Sequence, residues 1–130
     1  MGSGRLPTLG AAAVSRSDID RLRDARDFAG HAQDNAEGLG PIGLLGADRH
    51  RHAALYDLVV LGEAFSKVSP EIKAAAPGIP WRSVIALRNI IVHSYWQIDL
   101  DMIGDVIDNR IGPLIDQLDE LIALIHLQDP

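Results

Sequence analysis

Ile107, Ile111, Leu114, Leu118, Leu121 and Ile125 step by 4, 3, 4, 3 and 4 residues. An α-helix brings such a set onto one side, because residues three and four apart are neighbours on its surface. A strand would scatter the same residues over both faces. Ile115 and Ile122 broaden the seam. A stripe this apolar has to be covered, and the rest of the chain must supply what covers it.

The remaining segments supply more helices. Leu22, Ala25, Ala29, Ala32 and Ala36 step by 3, 4, 3 and 4, which predicts a helix capped by Ser17 or Asp18 and running to about Glu37. Its small residues allow a neighbour to approach closely. Asp18, Asp20, Arg21, Arg23, Asp24, Arg26 and Asp27 read as its solvated face. Gly38-Leu39-Gly40-Pro41 ends it, and a Gly-rich loop leads to Gly46. A second helix is expected from Ala47 or Asp48 to Lys67, with Leu55, Leu58, Gly62 and Phe65 as its core stripe and Val59 on the flank. Gly62 in mid-helix costs about 1 kcal/mol against alanine. A close helix crossing would explain it, and Glu63 beside it could pair with an arginine of another helix.

Ser69-Pro70-Glu71 opens a short helix that stops at Ala74-Ala75-Ala76-Pro77-Gly78. Ile79-Pro80-Trp81 enters a central helix, and Asp99 is placed to cap the next. That last helical region begins near Asp101, breaks or kinks at Gly112-Pro113, and resumes to about Leu127. No segment alternates with a period of two between hairpin turns. The fold expected is all-α, an antiparallel up-and-down bundle of four to five helices. Residues 1–16 read as a flexible N-terminal tail without the pattern of a signal peptide, and 17–130 as one domain.

Composition narrows the chemistry. The chain has no cysteine, which excludes disulfides, thiolate zinc sites and cysteine nucleophiles and fits a reducing, cytoplasmic setting. No run approaches the eighteen apolar residues of a membrane span. The formal net charge of −6 argues against broad, sequence-independent nucleic-acid binding, which depends on many phosphate contacts. Any RNA chemistry therefore needs a local basic pocket, or one assembled between subunits. Arg49-His50-Arg51-His52 is the only basic cluster ahead of the central helix. His50 and His52 point about 200° apart on a helix and do not make a metal site. Phosphate contact or an ordinary exposed helix start both suit the cluster.

The exceptional stretch is Leu87-Arg88-Asn89-Ile90-Ile91-Val92-His93-Ser94-Tyr95. At about 100° per residue, Trp81, Val84, Ile85, Ile91 and Val92 share an apolar face with Arg88 in its middle. Continued as a helix, Tyr95 would lie almost directly above Arg88, while Asn89 and His93 share the neighbouring strip. A guanidinium on such a face is costly unless it is paired or used.

These residues have the form Arg-Asn-x3-His-x-Tyr, and the chain resembles the HepT-like branch of the HEPN domains. Leu61-Gly62-Glu63-Ala64, Ile79-Pro80-Trp81 and Ile98-Asp99 resemble that family's flanking segments in the same order, so the likeness runs from about Ser17 to Leu127. The resemblance implies a homodimeric, metal-independent ribonuclease toxin that needs no cofactor. Arg88 and His93 would be its catalytic pair, Asn89 a supporting residue and RNA the substrate. It also implies a small nucleotidyltransferase antitoxin as partner, which silences the toxin by adding AMP to Tyr95. The acidic balance and the N-terminal tail depart from the pattern.

The residue types suit that chemistry. Histidine exchanges protons near neutrality, and arginine stays charged and grips phosphate oxygens in a fork. Within one helix Arg88 and His93 diverge by about 140°, so a site shared by two copies is the mechanistic expectation. Two other readings stand beside it. One is a non-catalytic nucleotide- or partner-binding subunit of a nucleotidyltransferase complex; the other is a structural arginine paired to a carboxylate such as Glu63.

Overall fold

A computed structural model describes residues 16–36 and 48–128. The N-terminal tail and the Gly-rich loop before Gly46 lie outside the described residues. Within them all regular structure is helical: α1 (Arg16–Ala36), α2 (Asp48–Lys67), α3 (Pro70–Ala75), α4 (Trp81–His93), a 3-10 turn (Tyr95–Gln97), α5 (Leu100–Asp105), a π turn (Val106–Arg110) and α6 (Ile111–Gln128).

The alanine seam of α1 does what its small side chains permit. Leu22, Ala25, Ala29 and Ala32 are fully buried, and α2 packs along them. On α2 the buried set is wider than one stripe. Ala54, Asp57, Leu61 and Ala64 join Leu55, Leu58, Gly62 and Phe65, because α2 lies between α1 and α4 and is covered on two sides. Helix α6 closes the core on the far side of α1. Its seam residues Ile111, Leu114, Leu118, Leu121 and Ile125 are all buried, with Ile115, while Ile122 is half-buried.

Side-chain contacts give the running directions. Asp18 meets Ser69 and Asn35 meets Asp57, so α1 and α2 run in opposite senses. Phe65 meets Trp81, with ring centroids 4.6 Å apart, and Glu63 meets Arg88, so α2 and α4 are also opposed. Arg23 bonds His126 at 2.7 Å and Arg26 pairs with Asp119 at 2.9 Å, which opposes α1 and α6.

Local signals set the helix ends. The Ser69 hydroxyl accepts from Ile72 N, with Pro70 in the first turn of α3. The indole of Trp81 donates to the Ala76 carbonyl at 2.9 Å, tying down the entry to α4. Asp99 caps α5 by accepting from Asp101 N and Met102 N.

Three expectations are corrected. Asp18, placed on a solvated face, is 4% exposed and accepts the Ser69 amide at 2.9 Å. The long-range contact to the start of α3, not the charge pattern of α1, decides its burial. The break or kink expected at Gly112-Pro113 instead takes the form of a distortion just before it, and the helix continues through Pro113. Pro113 cannot donate to the carbonyl four residues back, and the helix absorbs this one turn earlier as a π turn, where Ile111 N–H reaches back five residues to the Val106 carbonyl. Finally, α4 ends at His93, and Ser94 leaves helical geometry with φ −137° and ψ 44°. Tyr95 therefore belongs to the 3-10 turn, and helical stacking does not place it above Arg88.

Candidate functional site

The site begins with a glycine. A Cβ on Gly62 would land on the Cβ of Arg88, with Arg88 Cγ at 2.9 Å and the Val84 carbonyl oxygen at 3.2 Å. Here α4 crosses α2 where α2 contributes no side chain, and the root of Arg88 fills the space. The mid-helix glycine is explained by that contact, as its position in the sequence predicted.

The close crossing fixes where the Arg88 head can go. Nη2 donates to Glu63 Oε2 at 2.8 Å and Nη1 donates to Asn89 Oδ1 at 3.0 Å. Nε is buried and has no partner among the described residues. A guanidinium carries five N–H donors in a rigid plane. Two of them hold it to α2 and to its own helix, which sets the plane and leaves further Nη donors free to bind an anion. The Arg88 side chain is 26% exposed and that of Glu63 is 41% exposed. This is the arginine–Glu63 pair of the structural reading, but it lies at the edge of the core with one side open to solvent and is only partly buried. The Glu63 contact matches the arginine partner expected from sequence.

The structure brings Arg88, Asn89 and Glu63 together. It does not bring His93 into that cluster. His93 is the exposed last residue of α4, five residues and about 7.5 Å of helix rise beyond Arg88. Tyr95 follows in the 3-10 turn, 49% exposed, with Trp96 80% exposed beside it.

Helix α4 is only partly covered. Trp81 and Ile91 are buried, but Ile90 is 41% and Val92 is 45% exposed. Val92, assigned to the inner face by its spacing, is instead nearly half exposed. On the flank with Ile90, an apolar groove of about 450 Å³ opens between α4 and the α5–α6 segment, lined by Val84, Leu87, Ile90, Met102, Val106 and Leu114.

One charged group was missed. Asp57 is 5% exposed and accepts from Asn35 Nδ2 at 2.6 Å. Burial pushes its carboxyl above the usual 3.8, while the Asn35 bond and the charge of His31 pull the other way. Its signal was present: Ala54, Asp57, Leu58 and Leu61 follow the i, i+3, i+4, i+7 spacing of a buried face. Among the described residues no group of three or more His, Asp or Glu is placed to hold a metal ion. No described helix is long and apolar enough to cross a membrane.

A family model described as Ribonuclease HepT-like matches residues 19–121. Among curated proteins, one from Methanocaldococcus jannaschii, provisionally named an RNase, is 29% identical over 77 residues, covering 59% of this chain and 64% of its own length. A second from the same organism, also provisionally an RNase, is 30% identical over 57 residues, covering 44% of this chain and 52% of its own length. One from Thermococcus cleftensis, provisionally named ribonuclease HepT, is 26% identical over 69 residues, covering 53% of this chain and 63% of its own length. The chain thus spans less than two thirds of the length of each of these relatives. No solved structure matches.

Proposed function

The chain belongs to the HepT-like ribonuclease family, and from that premise we propose that it is a metal-independent endoribonuclease, the toxin of a toxin–antitoxin pair. The observation that carries this reading is the orientation of Arg88: its plane is held by Glu63 and Asn89 while part of its fork stays open to solvent. An arginine held in this way is prepared for a phosphate before the phosphate arrives.

In the proposed reaction the RNA 2′-hydroxyl attacks the adjacent phosphorus. A histidine base, His93, takes the hydroxyl proton, and Arg88 balances the charge that builds on the non-bridging oxygens. The bond to the 5′ oxygen breaks, that oxygen takes up a proton, and the products are a 2′,3′-cyclic phosphate and a 5′-hydroxyl. Asn89 supports Arg88. The divergence of Arg88 and His93 along α4 supports a site assembled by two copies of the chain in an up-and-down helical homodimer. The exposed Ile90, Val92, Trp96 and Met102 are the apolar surface such a partner would cover.

Tyr95, half-exposed next to His93, is the proposed acceptor of AMP from a nucleotidyltransferase antitoxin. An added nucleotide would bring negative charge and bulk to the end of α4 beyond His93 and obstruct the approach of RNA to the site. The Arg88–Glu63 pair favours a second reading in which the arginine is structural.

One experiment separates the two. Purified protein is assayed for cleavage of cellular RNA in EDTA, beside Arg88→Ala and His93→Ala. Loss of cleavage in both variants with the fold retained supports the ribonuclease. Activity surviving both substitutions would overturn the assignment, and a fall in stability for Arg88→Ala alone would identify the structural arginine. Intact mass after co-expression with the antitoxin tests Tyr95: a gain in multiples of AMP should vanish in Tyr95→Phe.

A further inference from the structure

Tyr56 is an aromatic residue left 62% exposed on α2. Its ring meets Phe28 of α1 at a tilt of 67° and a centroid distance of 6.3 Å, and Phe28 in turn meets His31 edge-on at 4.8 Å. Such contacts set the orientation of a ring without covering both of its faces. The tyrosine is thus held in place and remains available.

Its position on α2 connects it to the candidate site. Arg49, His52, Tyr56 and Glu63 are spaced by 3, 4 and 7 residues, so they lie on one strip of the helix. Glu63 is the residue that pairs with Arg88. At about 1.5 Å per residue, Tyr56 lies roughly 10 Å and His52 roughly 16 Å along α2 from Glu63. Because α2 and α4 are antiparallel, His93 lies from Arg88 in the same direction. The motif histidine on α4 and the exposed strip on α2 therefore run side by side away from the Arg88–Glu63 pair. Arg49 and His52 are both exposed.

We infer that Tyr56 is a stacking platform for a base of single-stranded RNA, next to the phosphate held at Arg88, and that Arg49 and His52 take the backbone beyond it. The inference rests on the ribonuclease reading and deepens it by assigning a base-stacking contact to α2. Single strands are bound by combining cationic groups that follow the backbone with aromatic rings on which bases stack. A short local track of this kind is what a chain with a net charge of −6 requires, since it has no general attraction for phosphate to draw on. Duplex RNA, with its bases already stacked, offers nothing to Tyr56.

The test is steady-state cleavage of a labelled, mixed-sequence single-stranded oligoribonucleotide by the full chain, beside Tyr56→Ala, Tyr56→Phe and Arg49→Ala. One lost stacking contact corresponds to about a tenfold rise in KM for Tyr56→Ala, with kcat retained. Tyr56→Phe, which keeps the ring, should restore KM. Arg49→Ala should lower the slope of log KM against log salt by roughly 0.7, one phosphate contact to a single strand. A merely structural tyrosine would instead lower the melting temperature and the active fraction and leave KM alone. Wild-type cleavage with an unchanged KM in Tyr56→Ala, or equal damage from Tyr56→Phe, would overturn the inference and spare the ribonuclease reading. A wild-type chain that neither binds nor cleaves the oligonucleotide would overturn both.

Discussion

Gly62→Ala separates two physical effects of opposite sign. Helix propensity alone predicts that alanine in the interior of α2 stabilises the protein by about 1 kcal/mol. The tertiary structure predicts the reverse. The new methyl would land on Arg88 Cβ, with Cγ at 2.9 Å and the Val84 carbonyl oxygen at 3.2 Å. Neither the Cβ nor the carbonyl can rotate away, because both are fixed by the backbone of α4. Relief requires α4 to move off α2 as a body, which also opens the Phe65–Trp81 contact and the Arg88–Glu63 pair. Overpacking a filled site costs about 1–3 kcal/mol. With no rotamer to absorb it, the upper end applies here. Subtracting the propensity gain leaves a net loss of about 2 kcal/mol, or roughly 8 °C in melting temperature for a domain of this size. Urea denaturation followed by circular dichroism reads it as a lower midpoint at unchanged m value. A variant that melts higher than wild type would refute the close-crossing argument and, with it, the account of how Arg88 is positioned.

The other predictions concern single groups. Burial raises the Asp57 carboxyl above its ordinary 3.8, so the folded state keeps this proton to higher pH than the unfolded state does. Its contribution to stability is fully present below 3.8 and is lost as pH rises through the folded value. Asp57→Asn keeps an acceptor for Asn35 and removes the charge, so it should be more stable than wild type at pH 7, with the gain shrinking toward pH 3.8. Urea midpoints across that range check it, and a gain that grows with acidity would refute it. Asp99 accepts from Asp101 N at 3.0 Å and Met102 N at 3.3 Å, and Asp99→Ala should cost about 1 kcal/mol of stability while Asp99→Asn recovers most of it. A melting temperature in Asp99→Ala equal to wild type would show that the cap contributes nothing.

Much of the site was legible because its causes are close in sequence. Arg88, Asn89 and His93 could be picked out because a cation, an amide and an imidazole interrupt an apolar helix. Gly62 and Glu63 stood out because a mid-helix glycine calls for a crossing and the adjacent carboxylate for a partner. Tyr95 was misplaced because the non-helical backbone of Ser94 and the 3-10 turn that follows it remove the seven-residue alignment with Arg88. Val92 was assigned to the inner face because periodicity reports which residues share a side but not how far a neighbouring helix extends over it.

The sequence by itself determined the helices, the seams along them and the caps at Ser69 and Asp99, but not the start of α1, where Ser17 and Asp18 lie inside the helix. What it determined depends on neighbours three or four residues apart and on single side chains such as Ser69, Pro70 and Asp99. The tertiary structure decided what those helices do with their charges. Asp18 is buried by a bond to a residue 51 positions away and Asp57 by one 22 positions away, while Arg88 is oriented by one 25 positions away. Whether a charged residue is solvated, buried or poised depends on the desolvation it meets and the partner it finds. Both are properties of the packed chain, and they turn an arginine on an apolar face into a held donor fork with one side open.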